Sequence, residues 1–408
     1  MAASSITRVL VLSAGFALVS GLPFPADAQQ QPAPPAWAQG RPADMAGSPL
    51  APHAPRLTVT PPEKIPVDRI KLPPGFKVEI WAHGMPGARM MARGDDGTIF
   101  VGTRAINRVY AVTDRGDRRE HRVLVQGLTQ PNGLAFRNGS LYVAAINRVL
   151  RYDGIEKRLD SPPEPVDLTA PFGLPTEAHH GWKFLAFGPD GKLYIPVGAP
   201  CNICKVDENR HALIARFNPD GSGREIVARG VRNSVGFDFH PATKQLWFTD
   251  NGRDWGGDDT PNDELNVSTR MGEHFGFPYC GQGDWQDPEF DARQCSEFTP
   301  PAALLGPHAA SLGMRFYTGS MFPAEYRERA FIARHGSWNR TKKSGFDVVT
   351  AITAPDRKAK IEPFMTGLVD PDSGEFWGRP TDVLQMPDGA LLVSDEQNGA
   401  IYRISYQR

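Results

Sequence analysis

The chain has 408 residues, with 45 Lys and Arg against 46 Asp and Glu, so its formal net charge is −1 with the histidines neutral. A balance this even excludes a general attraction to nucleic acid or to an anionic membrane, and any functional charge must be local. The length excludes a small sandwich and suffices for one large core.

Residues 1–28 read as a secretory signal peptide. Arg8 precedes the apolar run "VLVLSAGFALVSGL", a proline break and Ala-Asp-Ala, and the run is too short to cross a bilayer. Cleavage after Ala28 and a periplasmic or secreted product without a membrane span are the expectation. Residues 29–66, rich in Pro, Ala and Gln and lacking an apolar period, read as a disordered or extended linker. The folded domain is expected over residues 67–408.

Within that domain a repeat stands out. "AINRVYAV" from Ala105 returns as "AINRVLRY" from Ala145. Each copy follows a strand-turn-strand, "ARGDDGTIFVGTR" and then "AFRNGSLYVAA", and further copies run "AFGPDGKLYIPVG", "DFHPATKQLWFTD" and "QMPDGALLVSD". A degraded copy is "EYRERAFIARHGS". Short runs rich in Val, Ile, Leu, Phe and Tyr lie between Gly, Asp, Asn and Pro, without a sustained helical period. Units of roughly 40 to 60 residues match four-stranded propeller blades. The fold class expected is therefore all-β, a six-bladed β-propeller; a seventh blade degraded beyond recognition is the alternative. The long gap between Asp250 and Phe331 predicts an insertion.

Four cysteines fall in two local groups. In an oxidising compartment they favour disulfides. Cys280 and Cys295 are expected to pair, closing a loop worth about 3 kcal/mol in chain entropy. Cys201 and Cys204 sit in "CNIC", which lacks the histidine of a covalent haem site.

A propeller carries its function on loops near the axis. Four stretches place unusual polar residues at such points. "HHG" offers His179 and His180, of which strand alternation would aim only one at the channel. "GVRNSVGFDF" offers Arg232 and Asn233, donors suited to an oxyanion or carboxylate. "TDNGRDWGGDDTPNDELN" is dense in oxygen ligands for a hard cation such as calcium, although its spacing is not that of an EF-hand. "RHGSWNR" and "FWGRPTDV" bring Arg340 and Arg379 with the planar faces of Trp338 and Trp377. Each stretch alone also reads as capping, packing or a solvated turn; together they suit a flat polyanion.

"LTQPNGLAF", "HHGWKFLAFGPDGKLY", "CNIC", "GVRNSVGFDF", "TDNGRDWGGDDTPNDELN", "HGSWNR" and "GRPTDV", in this order, resemble the quinoprotein glucose/sorbosone dehydrogenase family, particularly its sorbosone and soluble aldose dehydrogenase branch. The resemblance implies a six-bladed propeller binding pyrroloquinoline quinone (PQQ) and Ca2+, and oxidising an aldose or sugar aldehyde. His180 matches the general base of the family, and Arg232 and Asn233 match the pair contacting the quinone oxygens. Arg379 matches a carboxylate-holding arginine, with Arg340 in the place of a lysine. Asn132 flanks Pro131, which stands where some members carry glutamine. Gly252 and Arg253 match carbonyl ligands of calcium. His179 stands in place of an aspartate, and Thr381 in place of a second arginine. The electron acceptor, a quinone or a cytochrome, is not specified by the sequence. Two other readings compete: a metal-dependent propeller lactonase using Asp382 and Asn233, and a non-enzymatic binding platform.

Overall fold

A computed structural model describes Met1 and residues 35–407. The rest of the expected signal peptide and residues 29–34 of the expected linker lie outside the described residues. The expected six-bladed propeller is what the chain forms, with six sheets of at least four strands each arranged as blades.

Each blade is an antiparallel meander whose glycine-containing turns fall where the repeats place them. The first four blades begin with Met91–Arg93, Gly133–Arg137, Ala186–Phe187 and Phe237–Phe239. The fifth begins with Ser311–Phe316 and contains the degraded repeat as Ala330–Arg334, paired on both sides. The sixth begins with Pro380–Gln385. Its outermost strand, Phe76–Ala82, comes from the other end of the blade region and pairs with Ala400–Tyr406. Ring closure is thus a strand pairing between distant parts of the chain.

Strands buried on both faces need apolar side chains at successive positions, which explains runs such as "LYIPV" and "LWFTD". Neighbouring blades share buried clusters, for example Phe100 and Val109 against Leu134 and Leu141, and Phe331 and Val348 against Val383 and Val393. The expected insertion lies between the third and fourth strands of the fourth blade. It carries a short hairpin, Cys280–Gly281 with Trp285–Gln286, and lends Glu273–His274 as a fifth, parallel strand to the third blade.

Both cysteine pairs are bridged, Cys201 with Cys204 and Cys280 with Cys295. The expected linker requires a correction. From Pro35 onward this segment is packed on the propeller: Trp37 meets Trp338 edge-on with ring centroids 5.7 Å apart, and the Trp255 indole N–H donates to the Trp37 carbonyl. Ile65 is buried in the cluster shared by the last two blades. A composition rich in Pro, Ala and Gln forms no strands or long helices, but its few aromatic and aliphatic side chains still find apolar partners on a preformed surface. Among the described residues no helix is long and apolar enough to cross a membrane.

Candidate active site

The loops entering the blades enclose a cavity of about 430 Å³, within the range of roughly 300–1,000 Å³ usual for small-molecule sites. His179, His180, Arg232, Asn233, Gly252, Trp338 and Arg379 all line it. Side chains nearly 200 residues apart in sequence therefore face one space.

His180 sits at the turn before the third blade with its backbone left-handed, φ 49°. Its Nδ1 lies 2.9 Å from the Ala199 carbonyl. A carbonyl only accepts, so Nδ1 carries the hydrogen and Nε2 keeps its lone pair. Burial, with Arg232 and His179 nearby, holds the imidazole pKa well below its usual value. The ring packs close to that of His179, 4.1 Å between centroids. The expectation that only one of the two faces the channel is corrected: residues 178–181 form a turn closed by the Gly181 N–H on the Ala178 carbonyl, where strand alternation does not apply. Gly198 makes this conformation possible, since a Cβ there would lie 2.5 Å from the His180 Cβ.

Arg232 is fixed from below by the "CNIC" loop. Its Nε donates to the Asn202 carbonyl and its Nη2 to Asn202 Oδ1, both at 2.8 Å. Its Nη1 donates to the Asn251 carbonyl at 3.1 Å, and Asp254 lies at 3.5 Å. The Cys201–Cys204 bridge closes the loop that carries Asn202, which answers what that pair does. The Asn233 side-chain amide has no hydrogen bond among the described residues and is free on the cavity wall.

Arg379 Nε and Nη2 donate to the carbonyls of His335 and Gly336 at 3.3 and 3.1 Å, and no carboxylate pairs with it directly. Burial lowers its pKa to about 10, with Arg89 and Arg104 adding repulsion to the opposing attraction of Glu396.

Three expected residues stand elsewhere. Arg340 turns outward to the carbonyls of Asp258 and Lys342 and to Asp259, because the acidic loop 258–259 offers it solvent-side partners. Asn132 is fully buried behind the wall, accepting from Arg89 Nε at 2.8 Å and donating to the Lys183 carbonyl. Trp377 packs against the core of the last two blades. Asp382, invoked for a lactonase, is buried under the ring, where it accepts the Met91 and Val383 backbone N–H groups.

Gly252 lines the cavity, while the Arg253 side chain is tied to Asp287 and Glu289 beneath it. Among the described residues no hydrogen bond is donated to the carbonyl oxygens of Gly252 and Arg253. Asp254 and Asp263 also line the cavity, and burial raises both of their pKa values. Free carbonyls beside undercompensated carboxylates fit a hard cation. No group of three or more His, Cys, Asp or Glu gathers as a metal cage among the described residues, so backbone oxygens would carry most of the coordination.

Sequence reasoning missed Arg89, Arg104, Trp182, His335 and the segment contributing Trp37 and His53, all of which line the cavity. Arg89 Nη1 donates to Glu396 at 2.6 Å, and the same carboxylate oxygen meets His335 Nε2 at 2.7 Å. One signal was available for Arg89. It stands three residues before Ala92, as Asn132 stands before Ala135 and Lys183 before Ala186, so the repeat register assigns all three to one inner position.

A family model described as Glucose / Sorbosone dehydrogenase matches residues 168–403. An uncharacterized protein of Borreliella burgdorferi is 34% identical over 352 residues, covering 83% of this chain and 91% of that protein. Among solved structures, the calcium structure of a Trichoderma reesei protein of carbohydrate-active enzymes family AA12 superposes with a TM-score of 0.70 at 17% identity, covering 85% of this chain and all of the other. The holo form of the pyranose dehydrogenase PQQ domain from Coprinopsis cinerea gives 0.68 at 18% identity, covering 82% and 97%. At such identities the likeness establishes the fold.

Proposed function

Because the chain belongs to the glucose/sorbosone dehydrogenase family, we propose that it is a quinoprotein oxidoreductase acting on an aldose or a sugar aldehyde. The observation that carries this reading is the shared cavity, where a lone pair on His180 faces the same space as Arg232, Asn233 and Arg379.

The cavity fits a planar anionic quinone such as PQQ. Arg379 lacks a carboxylate partner, Arg232 is rigidly held, and the indoles of Trp182 and Trp338 supply flat apolar surface. Arg379 would hold a carboxylate of the cofactor, while Arg232 and Asn233 would donate to its quinone oxygens. The carbonyls of Gly252 and Arg253 would hold Ca2+. Bound together, the quinone supplies a hydride acceptor and the cation a Lewis acid.

The chain's own residues do the rest. His180 Nε2 takes the proton of the sugar hydroxyl, and the Ala199 carbonyl steadies the imidazolium by accepting from Nδ1. Arg232, preorganised by Asn202, and Asn233, whose backbone Asp250 holds, stabilise negative charge as it develops. Trp37, Pro52 and His53 add side chains of the N-terminal segment to the cavity wall, where they would help to limit the entry of water.

Two disulfides support an oxidising compartment and hence the expected export of the product. The electron acceptor belongs to the same proposal, as a quinone or a cytochrome. The test is reconstitution: purified protein should reduce an artificial acceptor with aldoses or sorbosone only after PQQ and Ca2+ are added, and H180A should lose that activity. Activity without cofactor, or full activity in H180A, overturns the reading.

A further inference from the structure

One wall of the cavity carries polar groups that nothing in the chain satisfies. Arg104 follows the second strand of the first blade and lines the cavity, yet makes no hydrogen bond or ion pair among the described residues. Its guanidinium rests on the Trp182 ring, 4.0 Å from the centroid. The other cavity arginines are engaged: Arg89 by Glu396 and Asn132, Arg232 by Asn202, and Arg379 by two carbonyls. Trp182 Nε1 is a buried N–H without a partner, and His179 Nε2 is a buried ring nitrogen without one. Three unsatisfied groups on neighbouring side chains therefore adjoin His180, whose ring meets those of His179 and Trp182 at 4.1 and 5.9 Å.

Leaving buried donors unpaired is costly, and a set that includes a whole guanidinium matches a carboxylate, which accepts several N–H groups at once. Burial and the neighbouring Arg89 lower the Arg104 pKa to about 10, against a weaker opposing attraction from Glu396. Stacking on an indole holds the guanidinium plane while leaving its N–H edge free to bind.

We propose that Arg104, with Trp182 and His179, forms a carboxylate-binding subsite beside His180, and that the substrate it selects is an acidic aldose, a uronic acid. This assignment deepens the proposed oxidoreductase reading and rests on it. The carboxylate falls to the substrate because these groups surround the residue that receives the substrate's proton.

The test compares wild type, R104Q and R104K. Arg104 makes no hydrogen bond or ion pair among the described residues and R104Q removes only its stacking on Trp182, so the unfolding midpoint should shift little. With PQQ and Ca2+ present, R104Q should raise KM for D-glucuronate and D-galacturonate by roughly ten- to a hundred-fold while leaving KM for glucose unchanged; R104K should recover part of the loss. If R104Q instead weakens PQQ binding, followed by fluorescence titration, and acidic and neutral sugars are affected alike, the carboxylate belongs to the cofactor and the substrate assignment is overturned. Should wild type bind no PQQ, the oxidoreductase reading fails separately. Calorimetric titration of the cofactor-free protein with glucuronate then decides: affinity lost in R104Q upholds the subsite, and equal or absent binding in both proteins overturns it.

Discussion

Asp250 holds Arg232 in place through the backbone: its Oδ2 accepts the Arg232 N–H at 2.8 Å, and its Oδ1 accepts that of Asn233 at 2.6 Å. The same device recurs two blades on, where Asp395 Oδ1 accepts the Arg379 N–H at 2.9 Å. Both aspartates end the second strand of their blade, in "FTD" and "VSD". Each buried carboxylate therefore aims one arginine at the axis.

The pH dependence of stability should expose this arrangement. Burial pushes the Asp250 pKa up from 3.8 to about 7, and burial with the Asp250 charge pushes Glu264 up to about 8. A folded pKa above the unfolded one gives stability that is complete below the unfolded value and is lost as pH rises through the folded value. Denaturant midpoints should therefore fall between about pH 5 and about pH 8, and D250N should flatten part of that slope. D250A, which strands two buried N–H groups, should cost about 1–3 kcal/mol at either pH. An unchanged slope in D250N contradicts the assignment.

His180 should show itself in the rate profile. Burial, Arg232 and His179 lower its pKa, so the acid limb of kcat/KM should lie below pH 6.5. H179D replaces a repelling neighbour by a carboxylate and should move that limb upward by about one unit or more. A limb that stays put in H179D would mean that another group titrates.

Gly198 tests the positioning of the imidazole. In G198A the new methyl would meet the His180 Cβ at 2.5 Å and its carbonyl oxygen at 2.8 Å. Relieving that overlap should displace the ring by a fraction of an ångström and lower kcat/KM by about a hundredfold. The cost in stability should be only about 1–3 kcal/mol. Full activity in a folded G198A would show that His180 tolerates displacement.

The Cys201–Cys204 bridge should matter more for ligand affinity than for the fold. It closes only a short loop, but that loop carries Asn202, which takes two hydrogen bonds from Arg232. In C201S/C204S, PQQ affinity should fall about tenfold. The thermal shift produced by saturating PQQ and Ca2+ should shrink accordingly, since a ligand that binds only the native state stabilises by mass action. A cofactor shift equal to that of wild type would show that Arg232 needs no tether.

Local signals made the blades legible. Apolar runs between Gly-, Asp- and Asn-containing turns repeat at nearly constant spacing, and this alone marks the strand pairs. Even the degraded copy at Phe331 kept its apolar run. The cavity was legible where a motif carried its own geometry, as for His180, Arg232 and Arg379. It was not legible where partners meet only after the ring closes. Arg89 and Glu396 lie 307 positions apart, and neither alone reports the other. Arg340 was misplaced for the same reason, since its acidic partners belong to a loop of another blade. For His179 the strand rule was applied to residues that form a turn, with His180 left-handed.

The sixth blade, built from both ends of the blade region, governs when this protein can first work. While the chain is still emerging from a ribosome, Phe76–Ala82 has no partner until Ala400–Tyr406 has been made, and its unpaired edge stays exposed. Arg379 lies in that same blade, so a nascent chain lacks one side of the cavity however much else has been synthesised. A small molecule cannot template the assembly of such a chain before that point: it has to arrive after Ala400–Tyr406 has been made.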